Sequence, residues 1–296
     1  MPSRFSVLGI LAFWLATLGV VGYRDLWPRL VSDGPPTVSI DLADEATQTV
    51  PARWKIYRGT EKIGDLTTRT EYSAKDDTFL FLNTYRNLIY SDGRATKVLI
   101  PKLDTKVRVA RDGSLREQAM NGEMEVLLND FKVAGAKAKV DAYVLNGELV
   151  GRCKLTDSPF GDIDRPLEPV PVSSGQVLNP LMPVNRLRGV TPGRRWTIRK
   201  SDPLEDSLKL LFKELAGKSP LLAGLVPKDG DAELLAEVKS NPETIALKDG
   251  EKVVCWVIEY RGEGVSARTW VSQSDGRVLR QEAERHGDVM RFERED

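Results

Sequence analysis

Residues 267–294 read ARTWVSQSDGRVLRQEAERHGDVMRFER, and the fold is decided by how this stretch is read. Thr269 and Val271 alternate with Trp270 and Ser272, Asp275-Gly276 supplies a tight turn, and Val278 restarts the strand. His286-Gly287-Asp288 turns the chain again before Val289, Met290 and Phe292. Asp-Gly between β-prone runs signals a hairpin, because a type I′ turn needs positive φ at both central residues. The expectation is a β-meander, which is a scaffold and carries no chemistry of its own.

The same grammar recurs at residues 106–126, KVRVARDGSLREQAMNGEMEV, where a strand, Asp-Gly, Leu-Arg and a second Gly-acid turn follow one another. This is either a weak internal repeat or two hairpins of one sheet sharing turn chemistry. Both readings give antiparallel β.

The remaining segments extend the pattern. Trp54-Lys55-Ile56-Tyr57 opens a strand, residues 58–62 turn it, and residues 63–72 return it. Residues 79–85 continue the sheet, Asp92-Gly93 turns, and short strands follow at 98–100 and 107–109. Asn121-Gly122 and Asn146-Gly147 read as further hairpin turns, the second between 139–145 and 148–155. Residues 232–239 read as a strand, and 252–260 (KVVCWVIEY) as the most apolar and a central one. Short strands at a spacing of about 8–12 residues suit a sandwich, a barrel or a strongly curved sheet. Parallel α/β is disfavoured, since the crossover helices it requires are missing.

One soluble helix is expected. Asp202 can cap it, Pro203 suits its first position, and Leu204, Leu208, Leu211, Phe212 and Leu215 recur at helical spacing until Gly217. Residues 219–226 can add another turn. So wide an apolar stripe needs a sheet face to bury it. Leu208, Leu211, Phe212 and Leu215 are therefore also the candidate ligand-binding residues, if the helix lies over a lipophilic site. The predicted fold class is mainly β with minor α, a large curved antiparallel sheet or half-barrel covered by one or two helices and preceded by an N-terminal transmembrane helix.

That first helix is read from residues 5–23, FSVLGILAFWLATLGVVGY, an uncharged apolar run of bilayer length bracketed by Arg4 and Arg24-Asp25. The rival reading is a cleaved signal peptide, whose apolar core is normally about 7–15 residues long. The organisation expected is an anchor at 1–24, a tether at 25–49 and a β domain at 50–296, in two related halves (50–160 and 194–296). A proline-rich segment, 158–193, joins the halves and is read as packed across the sheet or as a hinge. Lys+Arg and Asp+Glu balance at 43 each, so no net field favours nucleic acid, and a charged partner needs a local patch. Arg186, Arg188, Arg194, Arg195 and Arg199 supply one candidate, for an anionic partner or lipid headgroup. The alternative is the solvated face of a strand, since Arg195, Thr197 and Arg199 alternate with Trp196 and Ile198.

The catalytic inventory is thin. His286 is the only histidine and has no second histidine or cysteine pair beside it to complete a metal site or a catalytic triad. No phosphate-binding glycine loop is present, and no cofactor or metal is predicted. Cys153 and Cys255 both fall in predicted strands, where they can form one disulfide or remain buried thiols.

A family resemblance rests on particular residues. The apolar N-terminal run, Trp54-Lys55-Ile56-Tyr57 with Lys62-Ile63-Gly64, Asn179-Pro180-Leu181-Met182-Pro183 with Pro192-Gly193-Arg194-Arg195-Trp196, and Thr269-Trp270-Val271 with Asp275-Gly276-Arg277-Val278-Leu279-Arg280 resemble a group of bacterial membrane-anchored envelope proteins. Their β-rich domain also occurs ahead of transglutaminase-like domains. More distantly the chain is similar to the curved half-barrel of lipoprotein carriers. No Cys-His-Asp module follows here, so the resemblance lends no enzyme activity and no catalytic residue. The expected function is non-catalytic binding of an apolar ligand or an envelope protein by a single-pass, extracytoplasmic domain at the cell membrane. The alternatives are an accessory or structural module of an envelope enzyme complex, or a hydrolase with a poorly signalled site.

Overall fold

The computed structural model describes residues 51–296 except 92–95, 112, 159–160, 173–183, 188, 200–232, 248–249, 263–264, 286–287 and 296; before residue 51 it describes Trp14 and Thr17. The described chain is almost entirely strand. In order these are β1 (Ala52–Arg58), β2 (Glu61–Ser73), β3 (Thr78–Ser91), β4 (Thr96–Ala110), β5 (Leu115–Leu128), β6 (Phe131–Leu145), β7 (Glu148–Thr156) and β8 (Ile163–Pro166). There follow β9 (Val170–Pro171), β10 (Arg195–Arg199), β11 (Glu233–Val238), β12 (Glu243–Ala246), β13 (Lys252–Gly262), β14 (Val265–Ser272), β15 (Val278–Arg285) and β16 (Asp288–Arg294).

All of them join one open antiparallel sheet in the order β10-β11-β13-β14-β15-β16-β1-β2-β3-β4-β5-β6-β7-β8, with β12 on β13 and β9 on β7. The expected meander is β14–β15–β16, with Thr269 opposite Gln281 and Gln281 opposite Phe292. Asn146 and Gly147 turn β6 into β7 with positive φ, as a type I′ hairpin requires. Residues 233–238 are a strand as read, and β13 is flanked on both sides, although it lies only third from the sheet edge.

Two readings need correction. Asn121-Gly122 is not a turn but lies inside β5, and the β5–β6 hairpin is made instead by Asn129 and Asp130, both at positive φ. Gly122 is there for close approach: a Cβ on it would come within 2.8 Å of Leu103 Cδ1. The two short strands read at 98–100 and 107–109 are one strand, β4. Pro101, which lacks a ladder donor, sits where the β4–β5 register slips between Leu99 and Lys102, so no hydrogen bond is missed.

Alternation gives the sheet two unlike faces. On one, the pairings set Val238, Ile258, Thr269, Gln281, Phe292 and Ile56 side by side across β11, β13 through β16 and β1, all of them buried. Burying each aliphatic or Phe side chain is worth roughly 1.5–3 kcal/mol, so this row is the backbone of the largest core cluster. Trp54 also belongs to it, its indole N–H donating to Thr68 Oγ1 at 3.1 Å. Part of the proline-rich segment packs on the same cluster: Val278 N donates to the Asn185 carbonyl, Leu187 N donates to that of Gly276, and the Leu187 side chain is buried.

The other face is ionic over β15, β16 and β1 through β5. Lys55 pairs with Glu295 (3.0 Å), Arg280 with Glu293 (3.1 Å), Lys102 with Asp104 (2.7 Å) and Lys106 with Glu117 (2.7 Å). Toward β12–β15 it turns apolar again, where Ile245, Cys255, Val257, Trp270 and Leu279 cluster and Trp270 Nε1 donates to Glu243 Oε2 at 2.9 Å. Among the described residues no helix is long and apolar enough to cross a membrane, which says nothing of strands. Residues 5–23 lie outside the described set, apart from Trp14 and Thr17.

One carboxylate on β13 is buried among cations. Glu259 meets Lys239 Nζ at 2.9 Å, Arg268 Nε at 3.2 Å and the Arg261 guanidinium. Burial alone would push its carboxyl up, but hydrogen bonds from Lys239 and Arg261 outweigh this and hold it below the usual glutamate range. A lowered folded-state value contributes stability above the unfolded value, and that stability is lost as pH falls through the folded one. Because Arg261 and Arg268 are more than half exposed, Glu259→Gln should cost only about 1–2 kcal/mol near neutral pH. Urea unfolding of both proteins should show that difference at about pH 7 and its progressive loss as the pH falls through the folded-state value of the Glu259 carboxyl, which lies below the usual glutamate range.

Candidate functional site

The apolar face changes character along the sheet. A transverse row runs Trp54, Leu66, Tyr85, Leu103, Gly122 and Ala138 across β1 to β6. Its first three members are buried and its last three only half-buried. Tyr85 belongs with the first group, and burial pushes its hydroxyl up, so it stays neutral.

Beyond Leu103 the pairing sets Tyr90 beside Val98, Val98 beside Val126, and Val126 beside Ala134, while Leu88 lies beside Ile100 and Met124 beside Ala136. Two irregularities turn these residues toward the apolar face. Asn87 takes φ 51°, and β4 carries an extra residue between Leu99 and Lys102; each adds a half-step to the alternation. Leu88 and Leu103 accordingly pack against the main core. All these side chains keep some contact with solvent, and Tyr90 is 47% exposed. At the β5–β6 turn Leu128 and Phe131 extend the patch, Phe131 being 77% exposed.

The result is a shallow apolar floor across β3–β6. Three interstrand gaps give it a width of ~14 Å, and Gly122, Ala134, Ala136 and Ala138 line its far side with almost no bulk. At one corner the Arg58 guanidinium lies 4.7 Å over the Tyr90 ring and donates to the Ser91 carbonyl. An exposed apolar patch of this kind marks a place where a ligand or another surface docks.

The opposite face carries a second concavity of about 830 Å³ beside β5–β8, lined by Tyr143, Val150, Pro166, Pro169 and the charged Glu117, Asp141 and Arg152. Its charges are engaged: Glu117 with Lys106 and Arg108, Asp141 with Lys139 (3.0 Å), Arg152 with Asp164 (2.8 Å). No acid or base there is set against a nucleophile. Among the described residues no group of three or more His, Cys, Asp or Glu side chains could hold a metal.

Of the residues singled out in the sequence, Leu208, Leu211, Phe212, Leu215, Arg188 and His286 lie outside the described set. Arg195 is on β10 and gives two hydrogen bonds to Glu237 Oε1, at 2.6 and 2.9 Å. Between it and Thr197, Trp196 points inward and is buried against Tyr260 in a T-shaped contact, so this stretch is a strand with Trp196 on its core side, while the Thr197 hydroxyl is shielded from water. Arg194 reaches the Gly189 carbonyl at 3.5 Å. Arg199 ends β10, and Arg186 lies opposite Arg277. Sequence reading missed the floor of Leu88, Tyr90, Val98, Ile100, Leu103, Met124 and Val126, because the bulges that align these side chains leave no mark in the local pattern.

Cys153 and Cys255 are free thiols, both buried, so the disulfide left open by the sequence is not formed. They sit on β7 and β13, with β14 through β16 and β1 through β6 between them in the sheet. Burial raises both thiols, that of Cys255 to about 11. Neither should react with a thiol reagent at about pH 8 while the protein is folded, and both should react in denaturant without prior reduction. Rapid labelling of the native protein, or no labelling of the unfolded one, would contradict this arrangement.

The sequence matches no protein-family model and no curated protein.

Proposed function

We propose that this chain is a membrane-anchored, extracytoplasmic binding domain with no catalytic centre, which holds an apolar ligand or the apolar surface of an envelope protein against the β3–β6 floor. In this reading residues 5–23 anchor the protein, residues 25–49 tether it, and the sheet presents its apolar face to the occupant. The observation that supports it most is the contrast along one face: buried over β13–β16 and β1, half-exposed from Leu88 to Ala138. Leaving aliphatic surface in water forgoes about 25 cal/mol for each Å², and an occupant would recover it. Over β15, β16 and β1 through β5 the opposite face is covered in paired charges, which disfavours such a ligand there.

A fluorescent fatty-acid analogue titrated into the protein should bind saturably. Val126→Asp should weaken that binding by at least about tenfold, while unfolding at nearly the wild-type denaturant concentration because the position is half-exposed. Non-saturable binding, or binding indifferent to Val126→Asp, would remove this reading. Deleting residues 1–30 should move the protein from the membrane to the soluble fraction, since no other run in the sequence approaches bilayer length. Retention in the membrane fraction would overturn the anchor.

A further inference from the structure

The proline-rich segment makes one unusual contact with the sheet. Arg186 forms an isolated antiparallel bridge with Arg277. The hydrogen bonds around it run from Leu187 N to Gly276 O (2.9 Å) and from Val278 N to Asn185 O (3.0 Å). They belong to the flanking residues, so Arg186 and Arg277 form a non-hydrogen-bonded pair, the register in which opposite side chains stand closest. Like charges placed directly opposite each other repel.

The repulsion is relieved on one side only. Arg277 Nε is bound to the Asp275 carboxylate. The Arg186 guanidinium makes no side-chain hydrogen bond or ion pair among the described residues, and its Nε is shielded from water without an acceptor. A half-buried, unpartnered guanidinium beside a second arginine is a fork of donors without its anion. Among the described residues no carboxylate fills it: Glu293 is taken by Arg280 and Arg291, Glu295 by Lys55, and Asp275 by Arg277.

We infer that Arg186 and Arg277 form a binding site for a phosphate-type oxyanion, which bridges the two guanidinium groups and docks residues 184–187 onto the start of β15. The ligand chemistry is a phosphate monoanion or diester, carried by a free phosphate ion or by an anionic phospholipid headgroup. It is independent of the apolar floor, which lies on other strands and whose failure would leave this site untouched.

The test uses the full chain in neutral detergent, titrated at constant ionic strength with inorganic phosphate, and separately with short-chain phosphatidylglycerol and phosphatidylcholine below their micelle-forming concentrations. Phosphate should raise the melting temperature of the wild type saturably, and Arg186→Gln should abolish that shift. In chloride buffer without phosphate, Arg186→Gln should melt no lower than wild type, because it removes a like-charge opposition; Arg186→Lys should keep part of the response. Phosphatidylglycerol binding at least about tenfold tighter than inorganic phosphate, with none to phosphatidylcholine, assigns the headgroup, and equal affinity assigns the free ion. The inference is overturned if neither anion shifts the wild type, if the shift survives Arg186→Gln, or if that variant is destabilised without phosphate.

Discussion

The structure depends on the register between the first and last strands. β1 lies between β16 and β2, so Trp54 stands opposite Arg294 on one side and Leu66 on the other, and Ile56 stands opposite Phe292 and Gly64. Every ladder upstream and downstream meets along this seam. A slip of one residue would send Trp54 and Ile56 to the ionic face and bring Lys55 and Tyr57 into the core, because the side-chain period of a strand is two. The buried row from Val238 to Ile56 exists only in the native register, and it is what makes sixteen strands one sheet instead of two separate ladders. It also places the ordered end of the proline-rich segment, since Asn185 is held by Arg294 at the end of β16 (2.7 Å) and by Val278 at the start of β15.

What was legible in the sequence was local. Asp275-Gly276 and Asn146-Gly147 named their turns, with positive φ at Gly276 alone in the first and at both residues in the second, a property of the residues themselves that needs no distant partner. Trp196 between Arg195 and Thr197 declared its buried side by alternation alone. Asn121-Gly122 misled because the same glycine that permits a turn also permits close approach, and only the presence of Leu103 across the ladder decides between them. The split of β4 into two short strands was wrong for another reason: Pro101 between them interrupts a strand only where its missing N–H would be needed, and it sits at a register shift. The site was the least legible part. Its floor is assembled by the left-handed Asn87 and the bulge beside Pro101, and the Arg186–Arg277 opposition by a pairing between distant segments, so neither leaves a periodic trace.

The two faces divide the physical work. Surface ion pairs such as Lys102–Asp104 or Lys55–Glu295 each contribute at most about 1 kcal/mol, so they do not hold the sheet together. Their effect is selective: a face covered in paired charges must be desolvated before anything apolar can lie on it, and that cost directs association to the other face. Glu259 follows the same logic at closer quarters, where three cations around one buried carboxylate fix the outer surface of β13 while Ile258 and Tyr260 occupy the core side.

The apolar face is filled over most of the sheet and left low beside Leu88 and Val126 because of side-chain size. Over β13–β16 and β1 it is built from Ile258, Tyr260, Phe292, Trp54 and Ile56, with Trp196 of β10 and Leu187 packed in the same cluster. Over one end of β5 and β6 the equivalent positions are Gly122, Ala134, Ala136 and Ala138, with Met124 and Val126 larger, so the surface there lies low and its neighbours Leu103 and Tyr90 stand above it, whereas Met120, Val140 and Ala142 further along the same strands pack into a second cluster with Phe79 and Leu149. Protein interiors are packed to the density of organic crystals, and a row of small residues cannot reach that density without atoms from elsewhere. The shortage of bulk on β5–β6 is thus itself the physical reason that this part of the face calls for an occupant while the rest of the sheet does not.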